Sequence, residues 1–136
     1  MIKYFSIILL FFLTSNFKTK STTPIQNADS TTNSDSLFFK KVGLTHRATW
    51  YNPHGAKTAS GLRFHKDSLT CAYNFLPFGT LLKVTNAATG LSVIVKVTDR
   101  MGIKSKNHID LSKCAFDSIA NIRSGVVKVE VFKKVK

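Results

Sequence analysis

Two aspartates in the last third of the chain are the residues best suited to acid–base chemistry. They lie in the stretch V-T-D-R-M-G-I-K-S-K-N-H-I-D-L-S, where Asp99 follows an apolar run and Asp110 comes eleven residues later. A pair of carboxyl groups can cleave a glycosidic bond when the groups stand about 5 to 10 Å apart, one as acid and one as nucleophile or base. Glu130 is the only glutamate in the sequence, so carboxyl chemistry here would depend on aspartate.

Asp99 follows a run in which Val93, Val95 and Val97 point to one face, and the residues between them point to the other. If this strand-like alternation continues, Asp99 falls on the valine side, at the rim of an apolar interior. Partial desolvation would favour its protonated form, which a general acid needs. The alternative is a turn residue that accepts backbone N–H bonds.

Asp110 precedes a segment with helical apolar spacing, which predicts a helix over residues 111–122. Asp and Ser are preferred helix N-caps, so the alternative role for Asp110 is to cap this helix. Spacing alone favours the turn role for Asp99 and the cap role for Asp110. The spaced apolar residues are Leu111, Ala115, Ile119 and Ile122.

The elements that would position these aspartates are short β-strands separated by turn residues. Alternation and turn signals predict strands over residues 45–51, 70–75, 80–86, 91–98 and 126–132. Several short strands with one helix predict a small, mainly β domain that closes, or nearly closes, into a barrel.

Other chemistries find little support in the sequence. No G-x-S-x-G motif is present, and neither cysteine lies near an obvious histidine partner. The four histidines are scattered without ligand spacing, so we expect no metal and no cofactor. Cys71 and Cys114 are the only cysteines and are predicted to form a disulfide, the alternative being two buried thiols.

The N-terminal part predicts export. Residues 1–20 resemble a secretory signal peptide, with Lys3 before an apolar run of about ten residues, too short to span a bilayer. An uncleaved anchor is the alternative. No cysteine precedes Cys71, so we expect a periplasmic or secreted protein that is not a lipoprotein. Residues 21–42, rich in Ser, Thr and Asn, predict a polar linker.

The formal net charge of the 136-residue chain is +13, which suits an anionic partner. Such partners are nucleic acid, acidic membrane lipid and acidic cell-wall polymer, and export argues against nucleic acid. The alternative is a well-solvated surface without an anionic partner. We expect a monomer without a stable membrane span in its mature form.

A set of short motifs, taken in order, resembles the rare lipoprotein A family. The motifs are A-T-W-Y (48–51), K-T-A-S-G (57–61), L-T-C-A-Y-N-F-L-P-F-G-T (69–80), K-V-T-N (83–86), V-T-D-R (97–100) and I-D-L-S (109–112). The resemblance implies a six-stranded double-psi β-barrel with one short helix over residues 43–134, a fold shared with expansins and barwin-like proteins. It also implies a lytic transglycosylase, which cleaves peptidoglycan glycan strands without water and leaves 1,6-anhydro ends.

The resemblance assigns roles residue by residue. Asp99 matches the aspartate of the V-x-D-R element and is the expected catalytic acid/base. The expected substrate-binding residues are Asp110, Thr49, Tyr51, Tyr73 and Arg100.

The chain also departs from the family pattern. Leu62 stands where the family usually has a glutamate implicated in activity, and Tyr73 stands where it usually has a functional histidine. Leucine cannot transfer a proton, so two outcomes remain open. The chain is either a transglycosylase that relies on Asp99, or a catalytically impaired glycan-binding or expansin-like wall-loosening module. A secreted effector is a third reading, which rests on fold analogy alone.

Overall fold

The computed structural model describes residues 38–53, 55–102 and 106–135. The predicted signal peptide and most of the predicted linker lie outside these residues. Alternating apolar residues form most of the strands, which are β1 (Phe39–Lys41), β2 (His46–Tyr51), β3 (Thr70–Ala72), β4 (Leu81–Asn86), β5 (Ser92–Asp99), β6 (His108–Ser112) and β7 (Val127–Lys134). One helix, α1 (Lys113–Asp117), and a 3₁₀ helix (Ile122–Ser124) separate β6 from β7.

Six of the strands close into a barrel. Their order is β7-β2-β6-β3-β5-β4, and β4 pairs with β7 to complete the circle. The pairs β2–β6 and β3–β5 are parallel, whereas the other pairs are antiparallel. The structure therefore confirms the prediction of a mainly β, six-stranded double-psi barrel with one short helix.

The barrel interior is filled by side chains that alternate along the strands. In β4 and β5 the inward residues are Leu82, Val84, Val93, Val95 and Val97, and all five are buried. Helix α1 adds Ala115 and Phe116 to the same core. Because one face of each strand is used inside, the opposite face is available for a binding site.

The predicted helix over 111–122 is wrong in its length and in its start. Leu111 and Ser112 belong to β6, where Leu111 pairs with Cys71 of β3, and the α-helix covers only Lys113–Asp117. Leu111, Ala115 and Ile119 are all fully buried, but they reach the core from a strand, a helix and a turn. Their helical spacing therefore reflects shared burial and not one continuous helix.

A short strand also lies inside the predicted linker. Strand β1 pairs antiparallel with the end of β7, outside the closed ring of six. Val42, which follows it, donates a backbone hydrogen bond to the Val131 carbonyl at 2.8 Å. The folded part of the chain thus begins before residue 43.

Among the described residues, no helix is long and apolar enough to cross a membrane.

An irregularity near the end of β5 changes the direction of Asp99. Cys71 pairs with Val97, but the next residue of β3, Ala72, pairs with Asp99, so Thr98 is an extra residue in β5. Such a bulge reverses the alternation of the residues that follow it. The prediction that Asp99 lies on the valine side is therefore wrong. It lies on the outer face.

The predicted disulfide is not formed, because Cys71 and Cys114 are free. Cys71 is fully buried on the inner face of β3, and burial raises the pKa of its thiol. Cys114 is the second residue of α1, and its thiol donates to the Ser68 carbonyl at 3.4 Å. The alternative of two buried thiols therefore holds for Cys71, whereas Cys114 is only half-buried.

Candidate functional site

Two carboxylates lie in one row across the outer face of the barrel. Thr49 of β2 pairs with Asp110 of β6, Asp110 pairs with Ala72 of β3, and Ala72 pairs with Asp99 of β5. We call these four residues the carboxylate row. Neighbouring strands are about 4.8 Å apart, so the backbones of Asp110 and Asp99 are separated by about 10 Å. Ala72 lies between the two aspartates in this row.

Asp110 is held by a chain of hydrogen bonds. The Thr49 hydroxyl donates to Asp110 Oδ1 at 2.7 Å and also contacts His108 Nε2 at 2.8 Å. A hydroxyl has one hydrogen, so when Thr49 donates to Asp110, the His108 Nε2 must carry a hydrogen and donate to Thr49. The chain His108–Thr49–Asp110 thus occupies Oδ1 and leaves Oδ2 as the oxygen on which Asp110 can hold a proton.

The surroundings of Asp110 favour its protonated form. Burial raises the pKa of Asp110 above its usual value, and the charge of Asp99 acts in the same direction. The hydrogen bond from Thr49 and the charge of His108 lower this pKa; each is weaker than the effect of burial but stronger than that of Asp99. Asp110 is therefore not the helix cap that spacing favoured, but a half-buried strand carboxyl with a raised pKa.

Asp99 has a different environment. Its Oδ1 accepts the backbone N–H groups of Ala59 and Arg100, both at 2.8 Å. The Ala59 bond joins β5 to a tight loop in which Lys57 pairs with Arg63. The turn role predicted as the alternative for Asp99 is therefore partly present, because it fixes a loop beside the groove.

Tyr51 lies beside both aspartates. Its ring packs on Phe64, with ring centroids 5.0 Å apart. Its hydroxyl is buried and has no hydrogen-bond partner of ordinary geometry among the described residues. Burial is the main cause that raises the pKa of Tyr51, followed by the charge of Asp99. The raised pKa keeps the phenol protonated at neutral pH.

These residues line one groove with a volume of about 440 Å³. Five of the predicted site residues line it: Thr49, Tyr51, Asp99, Arg100 and Asp110. The Arg100 guanidinium donates to the Tyr73 carbonyl at 2.8 Å and lies 3.8 Å from the centre of the Phe78 ring. Arg100 therefore fixes the edge of the groove, and its charge is partly used by the protein itself.

Tyr73 and Leu62 lie elsewhere. The Tyr73 side chain is 2% exposed, and its hydroxyl contacts His46 Nε2 at 3.1 Å inside the barrel. It does not reach the groove, so the predicted substrate-binding role of Tyr73 is not supported. Leu62 is 57% exposed in the 57–63 loop and does not line the groove either.

His108 is the site residue that the sequence reasoning missed. It lines the groove and bonds to Thr49, although none of the predicted strands covers its segment. The alternation in N-H-I-D-L-S places His108 and Asp110 on one face of a strand, which is the signal that could have identified it. Within the described ranges no group of three His, Cys, Asp or Glu side chains could hold a metal ion.

The fold and the groove define a class of small double-psi barrel proteins with a carboxylate-lined outer face. A family model for this barrel, described as lytic transglycolase, matches residues 44–131, and the chain belongs to this family.

Curated relatives carry the same family resemblance. The probable endolytic peptidoglycan transglycosylase RlpA of Aquifex aeolicus is 47% identical over 85 residues, which are 61% of this chain and 38% of that protein. The endolytic peptidoglycan transglycosylase RlpA of Rickettsia felis is 41% identical over 97 residues, which are 68% of this chain and 42% of that protein. The matched part is therefore less than half of either relative's length.

Solved structures show the same barrel. Streptomyces papain inhibitor has a TM-score of 0.57 and 25% identity, and the match covers 68% of this chain and 94% of that one. A Clavibacter michiganensis expansin mutant in complex with cellohexaose has a TM-score of 0.57 and 23% identity, covering 68% of this chain and 51% of that one. At the latter identity the likeness concerns the fold alone.

Proposed function

We propose that this protein is exported to the periplasm or the cell exterior and cleaves peptidoglycan glycan strands as a lytic transglycosylase. The observation that carries the proposal is Asp110, a half-buried carboxyl with a raised pKa in an open groove that also holds Asp99. Family membership and the RlpA relatives support the reaction class. The apolar N-terminal run of the sequence supports export.

The reaction needs one group that first gives a proton and then takes one back. Asp110 Oδ2 donates its proton to the glycosidic oxygen as the bond from that oxygen to the anomeric carbon breaks. The 6-hydroxyl of the sugar that contains this anomeric carbon then bonds to it and passes its proton to the Asp110 carboxylate. Atoms and charge balance, water is not consumed, and the Asp110 proton is restored.

Asp99 was predicted from the family resemblance as the acid/base, and that role stays a prediction. The geometry favours Asp110 instead, because Asp110 Oδ1 is held by Thr49 while burial favours a proton on the carboxyl. In this proposal Asp99 accepts hydrogen bonds from the substrate and stabilises the positive charge that develops on the sugar.

The test is to incubate the purified chain with peptidoglycan freed of stem peptides and to measure anhydro-ended fragments by mass spectrometry. We expect Asp110→Asn to lower the rate by about 10²- to 10⁴-fold, since it removes the transferred proton. The matched control is Asp117→Asn, which alters an exposed aspartate of α1 that does not line the groove.

Each outcome assigns a role. Undiminished product from Asp110→Asn would overturn the assignment of Asp110. If Asp99→Asn abolishes the product while Asp110→Asn retains it, the acid is Asp99, as the family resemblance implies. Absence of anhydro ends with the unaltered chain would remove the catalytic proposal.

A second candidate is a module that binds glycan without cleaving it, as a wall-loosening protein would. Tyr73 and Leu62 favour this candidate, because neither brings a polar group to the groove. Sedimentation with insoluble peptidoglycan distinguishes the two candidates. Binding without anhydro products supports the module, whereas failure to bind contradicts both candidates.

A further inference from the structure

Two cations face each other on the outer surface of the barrel, next to the groove. Arg47 of β2 pairs directly with Lys128 of β7, and both side chains are exposed. We call these two residues the cationic pair. Like charges directly opposite on neighbouring strands destabilise a sheet, so this arrangement works against folding unless an anion lies between them.

The described part of the chain provides no such anion. Its ion pairs join Lys41 to Glu130, and His65 and Lys66 to Asp67. None of them involves the cationic pair. The nearest acidic groups of the groove are Asp110, which is held by Thr49, and Asp99, which accepts two backbone N–H groups through Oδ1.

The cationic pair continues the groove along the sheet. Arg47 precedes Thr49 by two residues on the same outer face of β2, a distance of about 7 Å along the strand. Arg47 also pairs with His108 of β6, which lines the groove. A ligand lying on the carboxylate row can therefore extend over β2 towards Arg47 and Lys128.

We infer that the cationic pair binds a carboxylate of the glycan strand and so selects anionic glycans over neutral ones. This inference rests on the proposed function, because it places the strand in the same groove. Peptidoglycan freed of its peptides carries a lactyl carboxylate on every second sugar, whereas cellulose and chitin carry none. Charge complementarity thus identifies the ligand group as the lactyl carboxylate of the glycan.

The experiment compares two ligands that differ only in charge. The first is a soluble peptidoglycan strand without stem peptides, and the second is the same strand with its carboxylates converted to neutral amides. Dissociation constants are measured by isothermal titration calorimetry at low salt, in the Asp110→Asn background so that cleavage does not interfere. We expect the charged strand to bind about three- to tenfold more tightly, with the preference lost at high salt.

A double variant tests the residues. Arg47→Gln with Lys128→Gln should abolish the preference for the charged strand and leave binding of the neutral strand unchanged. The matched control is Arg123→Gln with Lys113→Gln, which removes one Arg and one Lys from a different part of the surface. The control should keep most of the preference.

Stability provides a second measurement. Removing the opposed charges should leave the melting temperature of the Arg47/Lys128 variant equal to or slightly above that of the parent. Equal binding of the two strands by the parent, or an equal loss in the control, would overturn the cationic pair as a subsite. If neither the charged nor the neutral glycan strand binds, both the proposed function and the cationic pair as a subsite are contradicted.

Discussion

The barrel wall contains two histidine–hydroxyl pairs, one on each side. Inside, His46 Nε2 contacts the Tyr73 hydroxyl, while His46 Nδ1 contacts the Leu44 carbonyl at 2.8 Å. Outside, His108 Nε2 contacts the Thr49 hydroxyl, which continues to the Asp110 carboxyl. The inner chain ends at a backbone carbonyl, whereas the outer chain ends at a group that can exchange a proton.

This difference separates a structural role from a chemical one. A carbonyl can only accept, so His46 Nδ1 donates to Leu44, His46 Nε2 accepts from Tyr73, and the inner pair is closed. The outer pair leaves Asp110 Oδ2 open to the groove. A histidine and a hydroxyl therefore stabilise the core on the inner side of the wall. On the outer side, a histidine and a hydroxyl orient the Asp110 carboxyl towards the groove.

Removal of the inner hydroxyl should have the largest effect on stability. Tyr73→Phe leaves His46 Nε2 buried without a donor, which costs about 1 to 3 kcal/mol of unfolding free energy. Thr49→Val, the corresponding change outside, should cost less than about 1 kcal/mol, since water can replace the lost bond. Urea unfolding of both variants measures the two values, and an equal cost would contradict the distinction between the pairs.

The inner histidine should also make stability depend on pH. Burial lowers the pKa of His46 below its usual value of 6.5, so the unfolded chain binds a proton that the folded chain resists. Stability is then complete above about pH 6.5 and decreases as the pH falls below it. Asp110 has the opposite effect, because its pKa is raised in the folded chain. Its contribution to stability increases as the pH falls from its folded pKa to its usual value of 3.8.

Unfolding free energies measured between pH 8 and pH 5 test this dependence. His46→Gln should flatten the decrease, whereas His65→Gln, which alters an exposed histidine, should leave it unchanged. A decrease that survives in His46→Gln would assign the dependence to another group.

The smallest predicted effect concerns the outer pair and is a shift of the pH profile of cleavage. The Thr49 hydrogen bond lowers the pKa of Asp110, so Thr49→Val should raise that pKa further. A general acid with a higher pKa holds its proton to higher pH, and the alkaline limb of the rate profile should move upward. Thr49→Ser keeps the hydroxyl and should retain the original limb, whereas a shift to lower pH in Thr49→Val would contradict this role.

Much of the fold could be predicted from the sequence because it follows from alternation. The valines of β5 and the branched residues of β4 mark one buried face, and the structure agrees with this pattern to within two residues at most strand ends. β6 shows the same alternation, but a competing helical spacing begins at its Leu111. Its residues Ile109 and Leu111 run into the buried residues of α1, and the combined spacing imitates one helix.

The sequence predicts which residue types form the site better than it predicts the direction of their side chains. Asp99 and Asp110 do share a groove, but Asp99 faces it because of one extra residue, which a count of alternating positions cannot show. The position of Tyr73 in a motif predicts a substrate-binding residue, although its hydroxyl contacts His46 in the core. His108 was missed because its role depends on a partner 59 residues away, which only the barrel brings close.

The extra residue at Thr98 also limits how this part of the protein can change. Its hydroxyl is buried without a partner among the described residues, a small defect retained where β5 irregularly pairs with β3. Deleting one residue there would turn every later side chain of the strand to the other side of the wall. Asp99 would enter the apolar interior and its neighbour would take its place outside. Substitutions in this segment change the groove one side chain at a time. A change of length moves groove side chains into the core and core side chains into the groove in a single step.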